Sequence, residues 1–338
     1  MYLEDSHFVD CYNKLNYTVK INDVKGEYLM EEFMEKELTV KVSEMFVSLQ
    51  GEGLRASKPS LFVRLFGCNL NCPGFGLPKG EKNTEIPAII KKIDQYKSYK
   101  DLPLSKTGCD SYPSSNSHFK RFSPEYTFPQ LYDKMMELVN NDSTDIDLVM
   151  TGGEPLLKPQ QKKFAIFIKQ YHEFINKFSS LTFETNGTQK ITDELNEAFQ
   201  KYLNIPVIFS ISPKLECSGE PRSKTIIPVA IESIKKCVDD YNHKFEYNTP
   251  LRFESTYYFK YVVTNEDDVK EALEVTNILD PAWREGNKFV DRVYLMPCGG
   301  TFEEHNMNAK NVAELAIKYR LRFSYRVHCM IWKNSWSK

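Results

Sequence analysis

The chain has 338 residues, 41% of them hydrophobic and 27% charged, with a formal net charge of −2. This composition suits a soluble globular protein and lacks the global basic excess that would draw it to nucleic acid or anionic lipid. No window approaches the apolar run of a membrane helix, and the opening MYLEDSHFVDCYNKLNY has acids but no apolar core, so neither a membrane span nor a secretory signal is expected. The eight cysteines of a cytoplasmic protein then point to metal or redox chemistry rather than to disulfides.

Residues 1–38 show no clear strand or helix period and read as an extension before a core domain over 39–338. KVSEMFVSLQ and SLFVRLFG read as strands joined by the Gly-rich turn GEGLRASKP. Residues 73–108, bounded by Gly and Pro, read as an insertion with its own short helix around Ile86–Tyr99. Beyond it, the apolar runs DLVMTGGEP, LTFETNG, PVIFSISPK, YYFKYVV and RVYLMPCGG alternate with stretches whose apolar positions recur every three to four residues. That alternation predicts βαβ units and an α/β fold with a helix-covered parallel sheet. A last helix, NAKNVAELAIKYR, leads to a final strand, LRFSYRVHCMIW.

Parallel α/β folds place their sites at the C-terminal ends of the strands. Thr151–Glu154, Glu184–Gly187, Ser212–Lys214 and Met296–Cys298 all follow strand runs and are expected to converge on one mouth. Cys68 and Cys72 form a C-x3-C directly after a strand, and Cys109 follows the insertion. Three thiolates in turns can grip three irons of a cubane cluster and leave the fourth open. A structural zinc completed by Cys298 or His118 is the competing reading of the cysteines alone. Cys11, Cys217 and Cys237 stand apart and read as ordinary thiols.

The surrounding motifs are Ser48-Leu-Gln-Gly-Glu-Gly53, Phe62-Val-Arg-Leu65, Gly67-Cys68, Cys109-Asp-Ser111, Thr151-Gly-Gly-Glu-Pro155, Glu184-Thr-Asn-Gly187 and Ser212-Pro-Lys214. Together they resemble the radical S-adenosylmethionine superfamily and, within it, the 7-carboxy-7-deazaguanine synthases, from about Ser43 to Trp332. The resemblance implies a partial (β/α)6 TIM-like barrel of the radical SAM type, usually a homodimer, here with a lengthened cluster loop. It implies a lyase that converts 6-carboxy-5,6,7,8-tetrahydropterin to 7-carboxy-7-deazaguanine with loss of ammonia, in 7-deazapurine (queuosine or preQ0-type) biosynthesis. The implied cofactors are a [4Fe–4S] cluster on Cys68, Cys72 and Cys109, S-adenosylmethionine and Mg²⁺, with a flavodoxin or ferredoxin as reductant and no membrane or nucleic acid as partner.

Residue by residue, the resemblance assigns the substrate to Leu49, Gln50, Gly51, Glu52, Arg64, Thr151 and His328. It assigns S-adenosylmethionine to Gly108, Cys109, Asp110, Gly153, Glu154, Ser212, Pro213, Lys214, Met296, Pro297, Cys298 and Gly299, and Mg²⁺ to Ser111. The amide of Gln50 and the carboxylate of Glu52 suit an aminopyrimidinone edge, and the Arg64 fork suits a carboxylate. Glu154 is placed to take the cofactor's ammonium. A buried ion pair for Arg64, a structural role for His328 and a plain turn at Ser212-Pro-Lys214 stay open. Two alternatives share some of these features: another radical enzyme such as a glycyl-radical activase, and a zinc-stabilised nucleic-acid-binding module.

Overall fold

The computed structural model describes residues 38–245, 254–284 and 292–337, so the extension over 1–37, and Cys11 with it, lies outside the described residues. The strands are β1 (Thr39–Leu49), β2 (Pro59–Leu65), β3 (Glu125–Thr127), β4 (Asp147–Gly152), β5 (Ser180–Thr185), β6 (Val207–Ile211), β7 (Thr256–Val263), β8 (Val293–Pro297) and β9 (Arg322–Phe323). They form one sheet in the order β3-β1-β2-β4-β5-β6-β7-β8-β9. The strands β2, β4, β5, β6, β7 and β8 pair in parallel, and the β1 pairings are antiparallel.

In this parallel stretch, spatial order equals chain order. Parallel crossovers are right-handed, so successive crossovers that never reverse direction leave all their helices on one face. This is the winding of a partial (β/α)6 barrel, left open between the edge strands β3 and β9. The helices are α1 (Glu85–Lys91), α2 (Tyr112–Ser115), α3 (Phe128–Leu138), α4 (Lys158–Ile175), α5 (Asp193–Tyr202), α6 (Arg222–Thr225), α7 (Pro228–His243), α8 (Glu266–Leu279), α9 (Phe302–Tyr319) and α10 (Val327–Trp332). Thr127 and Gln130 form a capping box at the start of α3, and Asn265 and Asp268 form one at α8.

Packing follows the two periods. On α4, Phe164, Ala165, Phe167 and Ile168 are buried at helical spacing. Phe164 meets Phe183 of β5 edge-on at 5.6 Å, and Phe183 stacks on Phe209 of β6 at the same distance. Each such side chain stabilises the fold by about 1.5–3 kcal/mol. Because a strand alternates its faces, the neighbours of those phenylalanines, Glu184 and Ser210, point away from the helices.

Two expected elements differ. LRFSYRVHCMIW is a strand only at Arg322–Phe323 and then turns into α10. Ser324 still donates to Leu295 O at 2.9 Å, but Val327 donates to Gly51 O at 3.0 Å, so the chain leaves the sheet edge for the β1–β2 turn. The insertion helix ends at Lys91, and 3-10 turns follow at Ile93–Gln95 and Tyr99–Asp101. The backbone leaves helical geometry at Lys92 (φ −109°, ψ 14°), and a Ser98–Asp101 capping box starts the last turn afresh.

The insertion closes on itself. Gly108 N donates to Phe75 O at 2.7 Å and Asn83 N to Pro73 O at 2.8 Å. The buried Asn83 amide donates to Thr107 O and Thr107 Oγ1, both at 2.7 Å, and its Oδ1 accepts from Ile86 N at 2.7 Å. An unpaired buried polar group costs about 1–3 kcal/mol. Asn83→Ala is therefore predicted to lower the melting temperature and expose residues 73–108 to limited proteolysis. Wild-type values for both would mean that the loop closes without this amide.

Candidate active site

The strand register builds a polar row on the face opposite the helices. Glu44 of β1 pairs with Arg64 of β2, and Arg64 pairs with Thr151 of β4. Glu184 of β5 pairs with Ser210 of β6, which pairs with Tyr258 of β7. Hydrogen bonds join the row: Thr151 Oγ1 donates to Glu184 Oε2 at 2.7 Å, and Gln50 Nε2 donates to Glu184 Oε1 at 3.2 Å. Arg64 Nε donates to Glu44 Oε1 at 2.8 Å, and its Nη1 lies 3.4 Å from Ser111 Oγ. The ion pair left open for Arg64 thus exists, yet it uses the Nε edge. Among the described residues, Nη2 makes no hydrogen bond.

This row floors a cavity of about 280 Å³, whose wall includes all three cysteines of the cluster motif. The Cys68 turn is seated on the two glycines after β4. A Cβ on Gly152 would come 2.1 Å from Leu65 O, and one on Gly153 would come 2.2 Å from Gly67 O. At Gly152 φ is also +137°, so both positions require glycine. On the other side, Glu220 Oε1 accepts from Asn71 N and Cys72 N at 2.6 and 2.8 Å.

Burial raises the pKa of all three thiols, that of Cys109 to about 12; Cys109 and Cys68 add to the rise at Cys72, Asp110 and Cys68 to that at Cys109, and Glu154 to that at Cys68. Lys214 pulls Cys68 and Cys72 the other way. Metal binding must therefore displace protons. Among the described residues no group of three or more His, Cys, Asp or Glu side chains is gathered for a single ion, as a structural zinc requires. His118 is exposed and bonded to Asn116, away from the cavity. All three thiols line one cavity, and thiolate is the usual ligand of an iron–sulfur cluster.

Of the residues expected to bind substrate, Leu49, Gln50, Gly51, Glu52, Arg64, Thr151 and His328 all line the cavity. So do Gly108, Asp110, Ser111, Gly153, Ser212, Lys214, Met296, Cys298 and Gly299. Pro213, Pro297 and Glu154 do not line it. Glu154 is engaged by the protein itself. It is fully buried and accepts from Thr185 Oγ1, Asn186 N and Leu156 N at 2.7–2.8 Å. These three bonds tie the turns after β4 and β5 together, two on Oε1 and one on Oε2.

Sequence reasoning missed the cations that organise this wall. Lys260 of β7 is buried and donates to Glu52 Oε2. Arg326, at the start of α10, donates to Glu52 Oε1 at 2.9 Å, Asp110 Oδ2 at 2.5 Å and Gly299 O at 3.0 Å. Burial works against the charge on Glu52, but Lys260 and Arg326 outweigh it and hold the carboxyl well below the usual range. Asp110 is likewise lowered against its burial, chiefly by Arg326. A lone lysine in the apolar run YYFKYVV was the available signal, the same one that singled out Arg64.

Arg326 is itself held by His305, which is fully buried. His305 Nδ1 is 3.0 Å from Pro297 O and so carries the proton, while Nε2 accepts from Arg326 N at 3.2 Å. Burial, with Arg326 nearby, lowers its pKa to about 4. The unfolded chain, with a histidine near 6.5, binds more protons between those values. Stability present above about pH 6.5 is then lost as pH falls toward 4. Urea unfolding at pH 7 and pH 5 is predicted to show this loss, and His305→Gln to reduce it. An equal loss in the variant would assign the pH dependence to other groups.

The chain is 26% identical to the 7-carboxy-7-deazaguanine synthase of Halobacterium salinarum, over 87% of this chain and 91% of that protein. It is 24% identical to the protein of the same name from Pyrobaculum aerophilum, over 88% and 97%. A crystal structure of QueE from Escherichia coli aligns with a TM-score of 0.45 and 18% identity, over 88% of this chain and 98% of that one. The family model described as a 4Fe-4S single cluster domain matches residues 49–225, from the β1–β2 turn through all three cavity cysteines to α6. With those thiols spaced around one cavity, the chain belongs to the 4Fe-4S single cluster domain family.

Proposed function

We propose that this chain is a 7-carboxy-7-deazaguanine synthase, a radical S-adenosylmethionine lyase acting on 6-carboxy-5,6,7,8-tetrahydropterin. The observation that carries the reading is that the cluster thiols and the Arg64–Thr151–Glu184 row line one cavity. The names of the relatives aligned over most of the chain support it. In this reading residues 39–338 form the catalytic unit, and the enzyme works as a cytoplasmic homodimer fed by a small electron-transfer protein. Among the described residues no helix is long and apolar enough to cross a membrane.

Cys68, Cys72 and Cys109 would hold the [4Fe–4S] cluster. With S-adenosylmethionine bound, that cluster supplies reductive sulfonium cleavage and hence a hydrogen-abstracting radical. The protein's own task is orientation and exclusion of water. Nη2 of Arg64, with Nη1 turning from Ser111 Oγ, receives the substrate carboxylate. Gln50, Thr151 and Glu184 present amide, hydroxyl and carboxylate groups to the heterocycle. Glu52, kept anionic by Lys260 and Arg326, accepts hydrogen bonds and does not donate a proton. His328 covers Gly51 so closely that a Cβ there would lie 1.8 Å from its Nδ1, and it closes that end of the cavity. Ser212 and Lys214, with Nζ 3.1 Å from Ser212 Oγ, suit the carboxylate of S-adenosylmethionine. Ser111 Oγ and Asp110 Oδ1, 3.2 Å apart, are hard oxygens of the kind Mg²⁺ takes.

Cys68→Ala, Cys72→Ala and Cys109→Ala are each expected to abolish the cluster after anaerobic reconstitution, whereas Cys237→Ala keeps wild-type iron. Full iron in any of the first three would remove that thiol from the ligand set. Arg64→Lys keeps the charge and loses the fork. Its affinity for the carboxylated pterin is expected to fall by one to two orders of magnitude, from about 1.5–3 kcal/mol for a charge-assisted bond. Uncoupled cleavage of S-adenosylmethionine should persist. If that cleavage vanished while pterin binding stayed normal, Arg64 would belong to the cofactor instead.

A further inference from the structure

The last described residues cross the cavity. Asn334, Ser335, Trp336 and Ser337 all line it. Asn334 starts the crossing at the first turn of α9, where its Oδ1 accepts from Phe302 N at 2.7 Å and its Nδ2 donates to Glu303 Oε2 at 2.9 Å. Trp336 then docks on the insertion. Its ring meets Tyr99 edge-on at 5.1 Å, and Nε1 donates to Leu102 O at 2.7 Å. The ring is packed against the apolar cluster of Ile86, Ile89, Tyr99, Leu102 and Phe119. Ser337 ends the crossing on β1, donating through Oγ to Glu44 Oε2 at 2.8 Å.

That last bond bears on the cavity floor. Glu44 Oε1 holds Arg64 Nε, so Ser337 engages the second oxygen of the same carboxylate. A free carboxylate beside an arginine takes it bidentately, which would draw an Nη group toward Glu44 and away from the cavity. With Oε2 engaged by Ser337, Glu44 binds Arg64 through Nε, Nη1 lies against Ser111 Oγ, and Nη2 is left to a ligand.

We propose that residues 334–337 are a strap, anchored to the insertion by Trp336, that positions Arg64 through Ser337 and Glu44 to receive a ligand carboxylate. This deepens the reading of Arg64 as the carboxylate receptor and rests on it. It also gives the insertion a role, as the dock for the strap.

The test uses the full reconstituted chain and two fluorescent probes, 6-carboxypterin and pterin, which differ only in the carboxylate. The wild type should bind 6-carboxypterin more tightly than pterin. Ser337→Ala and Trp336→Ala should each lose roughly tenfold for 6-carboxypterin, about the worth of a charge-assisted bond, with pterin binding unchanged. Trp336→Phe, which keeps the aromatic anchor, should recover most of the loss. Without any ligand, Trp336→Ala should speed amide exchange over 334–337 and 99–102, whereas Ser337→Ala should leave 99–102 as in the wild type. If the wild type discriminates between the pterins and Ser337→Ala discriminates equally well, the strap proposal fails while the function stands. If the wild type binds both probes alike, the carboxylate role of Arg64 fails and the strap's role fails with it. Unchanged exchange at 99–102 in Trp336→Ala would overturn the anchoring of the strap by the insertion.

Discussion

The amide of Gly108 reaching back to the carbonyl of Phe75 is the contact on which the site depends. Between Cys72 and Cys109 the chain leaves for residues 73–108, and without a closed neck the third thiol would be tethered only loosely to the first two. Closing a loop of that length costs about 3 kcal/mol of chain entropy. Asn83 at the neck and the apolar cluster under α1 oppose that cost. The insertion therefore lengthens the cluster loop without separating its ends.

The same economy governs the sheet. Parallel strands in chain order leave one face to the helices and one to the cavity, so the period-2 alternation that buries Phe183 and Phe209 presents Glu184 and Ser210 to the other side. Several charged groups on that side meet opposite ones, whereas Glu184 takes hydrogen bonds from the neutral Thr151 and Gln50. Arg64 faces Glu44, Lys260 faces Glu52, and Arg326 joins Glu52 to Asp110. Unpaired, any of them would be expelled or neutralised by burial.

Much of this was legible in the sequence, for identifiable reasons. The cysteines, the paired glycines after β4 and Arg64 inside an apolar strand are local signals whose meaning survives folding. Partner identity is not local. Nothing near Glu52 announces Lys260 or Arg326, which arrive from more than two hundred positions away. The partners of Glu154 were not legible either: a carboxylate after two glycines suits a ligand as well as two neighbouring turns, and only the fold brings Thr185 and Asn186 to it. The segment after Arg322 failed for another reason. Alternating apolar residues over so short a stretch fit a strand and a short helix alike, and only the loss of sheet partners after Ser324 separates them.

Arg326 serves two acids at once, Glu52 beside Gln50 and Asp110 beside Cys109. That sharing shapes how this site can diverge. Replacing Arg326 alone leaves Glu52 with only Lys260 and takes from Asp110 its ion-pair partner, whereas replacing one acid alone leaves the guanidinium half satisfied, so substitutions at these positions are not expected to act additively. Drift at these three positions is expected to be strongly epistatic, with viable lineages exchanging them together. Exposed positions such as Ile317 and Met307, free of such ties, can vary one at a time.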